Sequence, residues 1–128
     1  MTDDPRLGMR VVHRRYVPYT CAHYAGNLVE GAYSLALFGD VATEVCIRTD
    51  GDEGLFASYS DVQFKAPVQA GDVLEITATV TRMGTRSRTI EFTCAVVCRG
   101  AGGSAASVLP EPVVAVTATG TVVVPAER

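Results

Sequence analysis

The stretch "GNLVEGAYSLALFGDVATEVC", residues 26–46, decides the fold of this 128-residue chain. Apolar residues recur along it at helical spacings without a proline, which predicts one helix of about five turns. They lie round most of the helical circumference, and a helix of this kind is usually buried on several sides. These residues are Leu28, Val29, Ala32, Leu35, Ala36 and Leu37. We therefore expect the rest of the chain to wrap around this helix.

Strand patterns lie on both sides of the predicted helix. Before it, "MRVVHRRYVPY" is short, β-prone and interrupted by Pro18, which is typical of a first strand. After the turn-forming "TDGDEG", four segments alternate apolar and polar residues with the two-residue period of a strand. They are "LFASYSDVQFKAPV", "DVLEITATVTRMG", "SRTIEFTCAVVCRG" and "EPVVAVTATGTVVVP". The connections "PVQAGD" and "RMGTRS" both have the length of a hairpin turn.

This order of elements predicts an α+β fold with an antiparallel sheet of five to six strands around one long central helix. We expect a single domain over residues 1–128, with its core in residues 9–99 and 112–125. The Gly, Ser, Ala and Pro-rich residues 100–111 are predicted to form a flexible loop.

Composition excludes several classes of function. The net charge of −3, with scattered arginines, argues against a protein that binds nucleic acid through the phosphate backbone. No apolar run approaches the roughly 20 residues that span a bilayer, so no membrane partner is expected. Residues 1–15 lack the apolar core of a signal peptide, which predicts a cytoplasmic protein. His13, in this segment, is expected at the surface.

The cysteines and the loop motifs predict neither a metal site nor a cofactor. Cys94 and Cys98 share a predicted strand, where their Cα atoms would be about 13 Å apart, too far for a disulfide. A tight C-x-x-C pair is absent, as are the glycine motifs that hold nucleotide cofactors. We therefore expect Cys21, Cys46, Cys94 and Cys98 to be buried free thiols.

Five segments together resemble one group of enzymes. "HYAGNLVEGA", "LFGDVATE", "DGDEGLF", "VQFKAPVQAGDVLE" and "SRTIEF" are similar to segments of the hotdog-fold acyl-CoA enzymes. More narrowly, they resemble the ammonia-lyases that act on 3-aminobutyryl-CoA or β-alanyl-CoA. The resemblance implies a hotdog fold and a reversible elimination of ammonia from a 3-aminoacyl-CoA to give the 2-enoyl-CoA. Coenzyme A would then be part of the substrate, and the sites would lie between two subunits.

Two other functions stay open. A hotdog thioesterase would use the same polarised carbonyl, with a carboxylate that activates water. A non-catalytic acyl-CoA-binding module would need only the pocket, although polar groups on a core helix argue against it.

Ammonia elimination needs a base for the C2 proton, donors for the enolate oxygen and an acid for the leaving amine. Backbone N–H groups near Asn27 to Gly31, at the predicted helix start, could polarise the thioester carbonyl, and Gly31 permits close approach. On a helical wheel Asn27, Glu30 and Ser34 form one polar stripe. Glu30 is a candidate proton-transfer group, although an acid in a first helical turn also has a purely electrostatic role.

Three further residues complete the predicted reaction centre. Asp40 follows Gly39 where neither residue favours a helix, and the resemblance places a catalytic acid of acyl-CoA hydrolases near this point. His23 and Tyr24 precede the helix, where a donor could reach the thioester or hold a carboxylate. We thus predict Asp40, Glu30 and His23 as catalytic, and Asn27, Gly31 and Tyr24 as substrate-binding. Glu30, Asp40 and His23 each also have a structural alternative.

The turn "RMGTRSR" is predicted to bind the phosphates of coenzyme A. It groups Arg82, Arg86, Ser87 and Arg88, which could make charge-assisted bonds to phosphate; a solvated hairpin is the alternative. The apolar strand in "GLFASYSDVQF" would leave an open sheet edge. Pairing with a second copy would protect it, so a homodimer or a higher homo-oligomer is expected.

Overall fold

A computed structural model describes residues 4–126, which form one sheet and one long helix. The strands are β1 (Arg10–Tyr16), β2 (Leu55–Phe64), β3 (Val73–Met83), β4 (Ser87–Gly102) and β5 (Ala105–Val123), and the helix is α1 (Gly31–Asp50). All paired strands are antiparallel, in the order β1-β3-β4-β5-β2. Two short 3₁₀ turns, Tyr19–Cys21 and Ala25–Asn27, lie between β1 and α1.

The sheet curls around α1, which contacts all five strands. Alternate residues of β3 and β4 point to the helix and are fully buried, as the two-residue period predicts. At the centre, the rings of Phe38 on α1 and Phe92 on β4 stack with centroids 4.9 Å apart. The predicted α+β arrangement, one long helix wrapped by an antiparallel sheet, is confirmed.

The helix begins later than the sequence pattern predicts. Gly26 and Asn27 have φ values of 74° and 62°, which are incompatible with an α-helix. Residues 27–30 instead run beside residues 68–70: the Val29 N–H donates to the Val68 carbonyl, and the Ala70 N–H donates to the Asn27 carbonyl. The helix therefore starts at Gly31 with Glu30 as its N-cap. It ends at Asp50, and Gly51 is its C-cap with a φ of 66°.

Two predicted connections are wrong. "PVQAGD" is not a hairpin, because β2 lies at one edge of the sheet and β3 lies three strands away. We call residues 65–72 the crossing segment, since they pass from the edge strand to β3 past the start of α1. Residues 100–111 are not a loop for most of their length: β4 continues to Gly102, and β5 starts at Ala105.

Strand β2 is one edge of the sheet, as expected. Its register with β5 shifts between Phe56 and Ser58 and again between Ser60 and Gln63, so the edge is irregular. Leu55 and Phe64, at its two ends, are 74% and 58% exposed. None of the helices in residues 4–126 combines the length and the apolar character needed to cross a membrane.

Candidate functional site

A pocket of about 470 Å³ lies at the start of α1. One wall is the helix start, with Val29, Glu30, Gly31 and Ser34. The other wall is the end of β2 with the crossing segment, residues 64–68, and Val116 of β5 closes the pocket. Because the pocket joins an apolar lining to the polar groups of a helix N-terminus, it is the best candidate for a substrate site.

The helix start offers unpaired donors to this pocket. The first N–H groups of an α-helix have no carbonyl acceptor within the helix, and they carry partial positive charge. Glu30 is the N-cap, yet its carboxylate makes no capping hydrogen bond to these groups and stays exposed. The Tyr33 N–H already donates to the Glu30 carbonyl at 3.1 Å. The N–H groups of Gly31 and Ala32 are therefore the ones that can polarise a carbonyl, and the Glu30 carboxylate is left available beside them.

Gly31 allows Phe64 to form a wall of the pocket. A Cβ atom at position 31 would lie 2.7 Å from Cε1 of the Phe64 ring, closer than carbon atoms approach. The sequence predicted that the substrate would approach Gly31 closely. In this structure the Phe64 ring is the group that lies close to Gly31.

A buried ion pair holds the crossing segment. Arg99 of β4 donates to both carboxylate oxygens of Asp72, at 2.9 and 2.8 Å, and to the Pro67 carbonyl at 3.0 Å. Asp72 is completely buried and also accepts the Gln69 N–H at 2.7 Å. The hydrogen bonds that Arg99 donates to Asp72 raise the pKa of Arg99. This pair was not identified from the sequence. The feature that could have indicated it is an arginine within a largely apolar strand.

The floor of the pocket contains a buried hydroxyl. Ser34 is 2% exposed, and its Oγ donates to Sγ of Cys94, which is 3.8 Å away. Burial raises the pKa of the Cys94 thiol to about 11, so it stays protonated at neutral pH. All four cysteines are free, as predicted; Cys46 and Cys94 are buried, whereas Cys21 and Cys98 are half-buried.

Of the predicted polar stripe, only Ser34 lies on the helix. Glu30 is the N-cap, and Asn27 lies in the preceding turn with its side chain exposed. The Asn27 carbonyl anchors the crossing segment through the Ala70 N–H at 2.9 Å. The helical wheel was therefore wrong for Asn27, because the helix begins only at Gly31, after this residue.

His23 and Tyr24 lie in the segment before the helix and do not line the pocket. Both are exposed, and their rings meet edge to face with centroids 4.6 Å apart. Their backbone N–H groups both donate to the Leu28 carbonyl. Within one chain, these side chains are therefore not part of the pocket.

Asp40 lies in the middle of α1, with an exposed side chain and no ion pair to any residue in the range 4–126. It is nine residues after Gly31, which corresponds to about 13 Å along the helix axis. One chain therefore does not bring Asp40 and Glu30 to the same substrate atom.

The β3–β4 turn separates its three arginines. Arg82 and Arg86 are exposed and form no ion pair within the described part of the chain. Arg88 is only 4% exposed: it donates to both oxygens of Asp50, and to the carbonyls of Gly84 and Ser87. The prediction that Arg88 binds phosphate is therefore wrong in this geometry, because its donors already have partners. Ser87 faces a small surface pocket together with Arg86.

His13 is not the surface residue that the sequence suggested. Its side chain is 18% exposed, and its Nε2 atom lies 2.7 Å from Oε1 of Glu44 on α1. Hydrogen bonds from His13 and Arg48 lower the pKa of Glu44. This contact ties the edge strand β1 to the helix, which explains a polar group at Glu44 without any catalytic role.

Comparisons with known proteins agree with this geometry. The family model described as the thioesterase superfamily matches residues 26–99. A 3-aminobutyryl-CoA ammonia lyase of Acetoanaerobium sticklandii is 48% identical over 110 residues, which cover 84% of this chain and 87% of that protein.

Solved structures give the same picture. A β-alanyl-CoA:ammonia lyase from Clostridium propionicum superposes with a TM-score of 0.90 at 35% identity, over 94% of this chain and 87% of that one. A hexameric acyl-CoA thioesterase has the same fold, with a TM-score of 0.72 at 20% identity, over 89% of this chain and 67% of that one. From the match of the family model and the identity to both lyases, the chain belongs to the thioesterase superfamily of hotdog-fold proteins, in the family of the CoA ammonia-lyases.

Proposed function

We propose that this protein is an acyl-CoA ammonia-lyase, which reversibly eliminates ammonia from 3-aminobutyryl-CoA or β-alanyl-CoA to give the 2-enoyl-CoA. The observation that carries the proposal is the pocket at the start of α1, where the Glu30 carboxylate stands beside uncapped backbone N–H groups. The relatives named above as ammonia-lyases act on thioesters of this class. Coenzyme A is part of the substrate, and no further cofactor is proposed.

The chemistry follows from the positions of these groups. A thioester carbonyl that accepts hydrogen bonds from the first turn of α1 is polarised, which acidifies its C2 proton. The Glu30 carboxylate takes that proton, and the C–H electron pair moves into the thioester enolate. When the enolate collapses, the C2–C3 double bond forms and the C3–N bond breaks, and the C3 ammonium group leaves with the bonding electron pair as neutral ammonia.

A second subunit would complete the site. The start of β2 lies near the β3–β4 turn, because Val123 pairs with both Leu55 and Ser87, while the end of β2, Phe64, lines the pocket. If the β2 strands of two subunits pair antiparallel about a two-fold axis, the start of β2 in one subunit lies beside the end of β2 in its partner. The partner subunit's Arg82 and Arg86 would then lie toward this pocket and could bind the coenzyme A phosphates.

The remaining predicted residues have a place in the same proposal. Asp40 and His23, which one chain leaves away from the pocket, would act only if a partner subunit brought them to it. Exposed side chains on α1 and in the segment before it are available for such a contact. A cytoplasmic location, predicted from the sequence, is also part of the proposal.

A thioesterase is the second candidate, because the same polarised carbonyl can be attacked by water and a hotdog thioesterase shares the fold. The experiment that separates the two uses crotonyl-CoA with ammonia and, separately, 3-aminobutyryl-CoA. A lyase should decrease the enoyl thioester absorbance with crotonyl-CoA and ammonia, and increase it with 3-aminobutyryl-CoA. Neither reaction should release free thiol. Release of free thiol at the same rate from saturated and unsaturated thioesters would overturn the proposal in favour of hydrolysis.

A further inference from the structure

We infer that Ser34 is a specificity-determining residue, whose hydroxyl accepts a hydrogen bond from the C3 ammonium of the substrate at the floor of the pocket. The inference rests on the proposed function for the identity of the substrate. It arises from two observations that are independent of that function: a serine that is 2% exposed lines the pocket, and its hydroxyl proton already has a direction.

The direction of the hydroxyl decides what it can bind. Ser34 Oγ donates its proton to Cys94 Sγ at 3.8 Å, away from the helix and toward the sheet. A hydroxyl has one proton and two lone pairs, so those lone pairs remain as acceptors. Cys94 is completely buried on β4. The floor of the pocket therefore presents an acceptor, which suits an N–H donor and not a carbonyl oxygen.

The spacing along the helix fits a 3-aminoacyl thioester. Ser34 is three residues after Gly31, which is about 4.5 Å along the axis. With covalent bonds of about 1.5 Å, a carbonyl oxygen and an amino nitrogen on C3 are separated by a similar length, about 4 Å. Glu30, the N-cap, and Ser34, one turn further along α1, both line the pocket. An ammonium between them meets a carboxylate and a hydroxyl acceptor.

Among the residues that line the pocket, Glu30 and Ser34 are the ones whose side chains carry an acceptor oxygen, while Lys65 adds a positive charge. Val29 and Val116 are buried and apolar, and they offer no partner to an amine. A buried polar group that the ligand leaves unpaired costs binding free energy, so the pocket should discriminate against a substrate without the amine. Ser34 thereby distinguishes a 3-aminoacyl chain from a plain acyl chain of the same length.

The test compares two ligands on the same Ser34→Ala protein. We expect kcat/KM for 3-aminobutyryl-CoA to fall about tenfold or more, by the loss of a hydrogen bond to a charged group. The inhibition constant of butyryl-CoA, which has no amine, should stay unchanged or decrease. The ratio of KM for 3-aminobutyryl-CoA to this inhibition constant does not depend on the folded fraction, because neither constant contains the enzyme concentration. A loss of stability therefore cannot imitate a rise in that ratio.

Thr43→Ala is the matched control. Thr43 is also a hydroxyl residue of α1, but it donates to the Gly39 carbonyl at 3.0 Å and does not line the pocket. Its removal should leave the ratio at the wild-type value. If Ser34→Ala also keeps the wild-type ratio, or if both ligands lose affinity equally, the inference is overturned.

Failure of the proposed function gives a different result. If wild-type protein releases no ammonia, the dissociation constants of both thioesters are measured by calorimetry. A preference for the amine that Ser34→Ala abolishes would then support the role of Ser34 while the lyase proposal fails. A wild-type protein without that preference overturns the inference.

Discussion

The ring of Phe64 lies directly against the backbone of Gly31, so that a Cβ at position 31 would be 2.7 Å from Cε1 of the ring. This contact joins the edge strand β2 to the first residue of α1. It also sets the width of the pocket, because both residues are part of its lining.

Gly31→Ala should therefore damage activity more than stability. The added methyl group displaces the Phe64 ring, which is 58% exposed and not part of the core, and alanine is itself the better helix former. A displacement of about 1 Å at a wall of the reaction centre can cost up to about 100-fold in rate. We expect kcat/KM to fall at least about tenfold with little change in Tm. Gly39→Ala is the control, because nothing lies near its added methyl group. This variant should have a higher Tm and wild-type activity. A loss of activity similar to that of Gly31→Ala would contradict the role of Gly31 in the pocket.

Glu30→Gln tests the base at the helix start. The amide keeps the shape of the side chain but cannot take a proton, so turnover per folded molecule should fall about 100-fold or more. Its carboxylate makes no capping hydrogen bond, so Tm should not change. Turnover close to the wild-type value would remove Glu30 from the mechanism.

Asp40→Asn is a separate test, because Asp40 is exposed and lies about 13 Å from Gly31 along the helix. If a second subunit brings Asp40 into the site, turnover should again fall about 100-fold at unchanged Tm. Unchanged turnover in both carboxamide variants would eliminate these two carboxylates as catalytic groups. A loss in only one would identify the carboxylate that transfers the proton.

The double variant Arg82→Ala with Arg86→Ala should raise the KM of the full coenzyme A thioester. It should affect a pantetheine-truncated thioester much less, because that substrate lacks the nucleotide phosphates. Arg10→Ala, an exposed arginine on β1, is the control for loss of surface charge. Equal effects on both thioesters would place the phosphate site elsewhere.

Acid should destabilise the protein through Asp50. The hydrogen bond from Arg88 lowers the pKa of the Asp50 carboxyl below its ordinary value of 3.8. A carboxyl group whose pKa is lower in the folded protein than in the unfolded chain stabilises the fold at any pH above its unfolded pKa. For Asp50, this stabilisation is lost as the pH falls from 3.8 through the lowered pKa of the folded state. Asp50→Asn should cost about 3 kcal/mol near neutral pH, because it leaves the Arg88 charge buried and unpaired.

Denaturant titrations at several pH values check this expectation. In Asp50→Asn, the loss of stability below the ordinary Asp pKa should be smaller than in the wild type. Glu91→Gln, an exposed carboxylate on β4, should follow the wild-type curve. An acid response that is the same in all three proteins would exclude Asp50 as its source.

The protein should form at least a dimer in solution. β2 is an edge strand with Leu55 and Phe64 largely exposed, and an unpaired apolar edge invites pairing with another chain. Sizing with light scattering at micromolar concentration is the measurement. A monomer would contradict both the paired edge and the composite substrate site.

The α+β class and most of the strands were predictable, because they depend on local periodicity. The apolar recurrence that predicted the helix and the alternation in β3 and β4 are properties of neighbouring residues. Burial follows the alternation closely in both strands. On the helix it follows the predicted pattern less well, because Ala32 and Ala36 are exposed. Gly31 was also recognisable as a position of close approach. Arg88 shows the limit: its sequence neighbours suggest a solvated turn, but Asp50 at the far end of α1 holds it inside the protein.

The sequence by itself determined one helix, the strands around it and an acid beside the helix start. Only the tertiary structure decided that α1 begins at Gly31, that residues 65–72 cross beside it, and that Asp72 and Arg99 hold this crossing. Periodicity indicates which side chains favour burial. It does not indicate which backbone groups, far apart in the chain, will form hydrogen bonds with each other. The hydrogen bonds of Asn27 and Val29 with residues 68–70 join segments far apart in the chain, so they exist only in the folded protein.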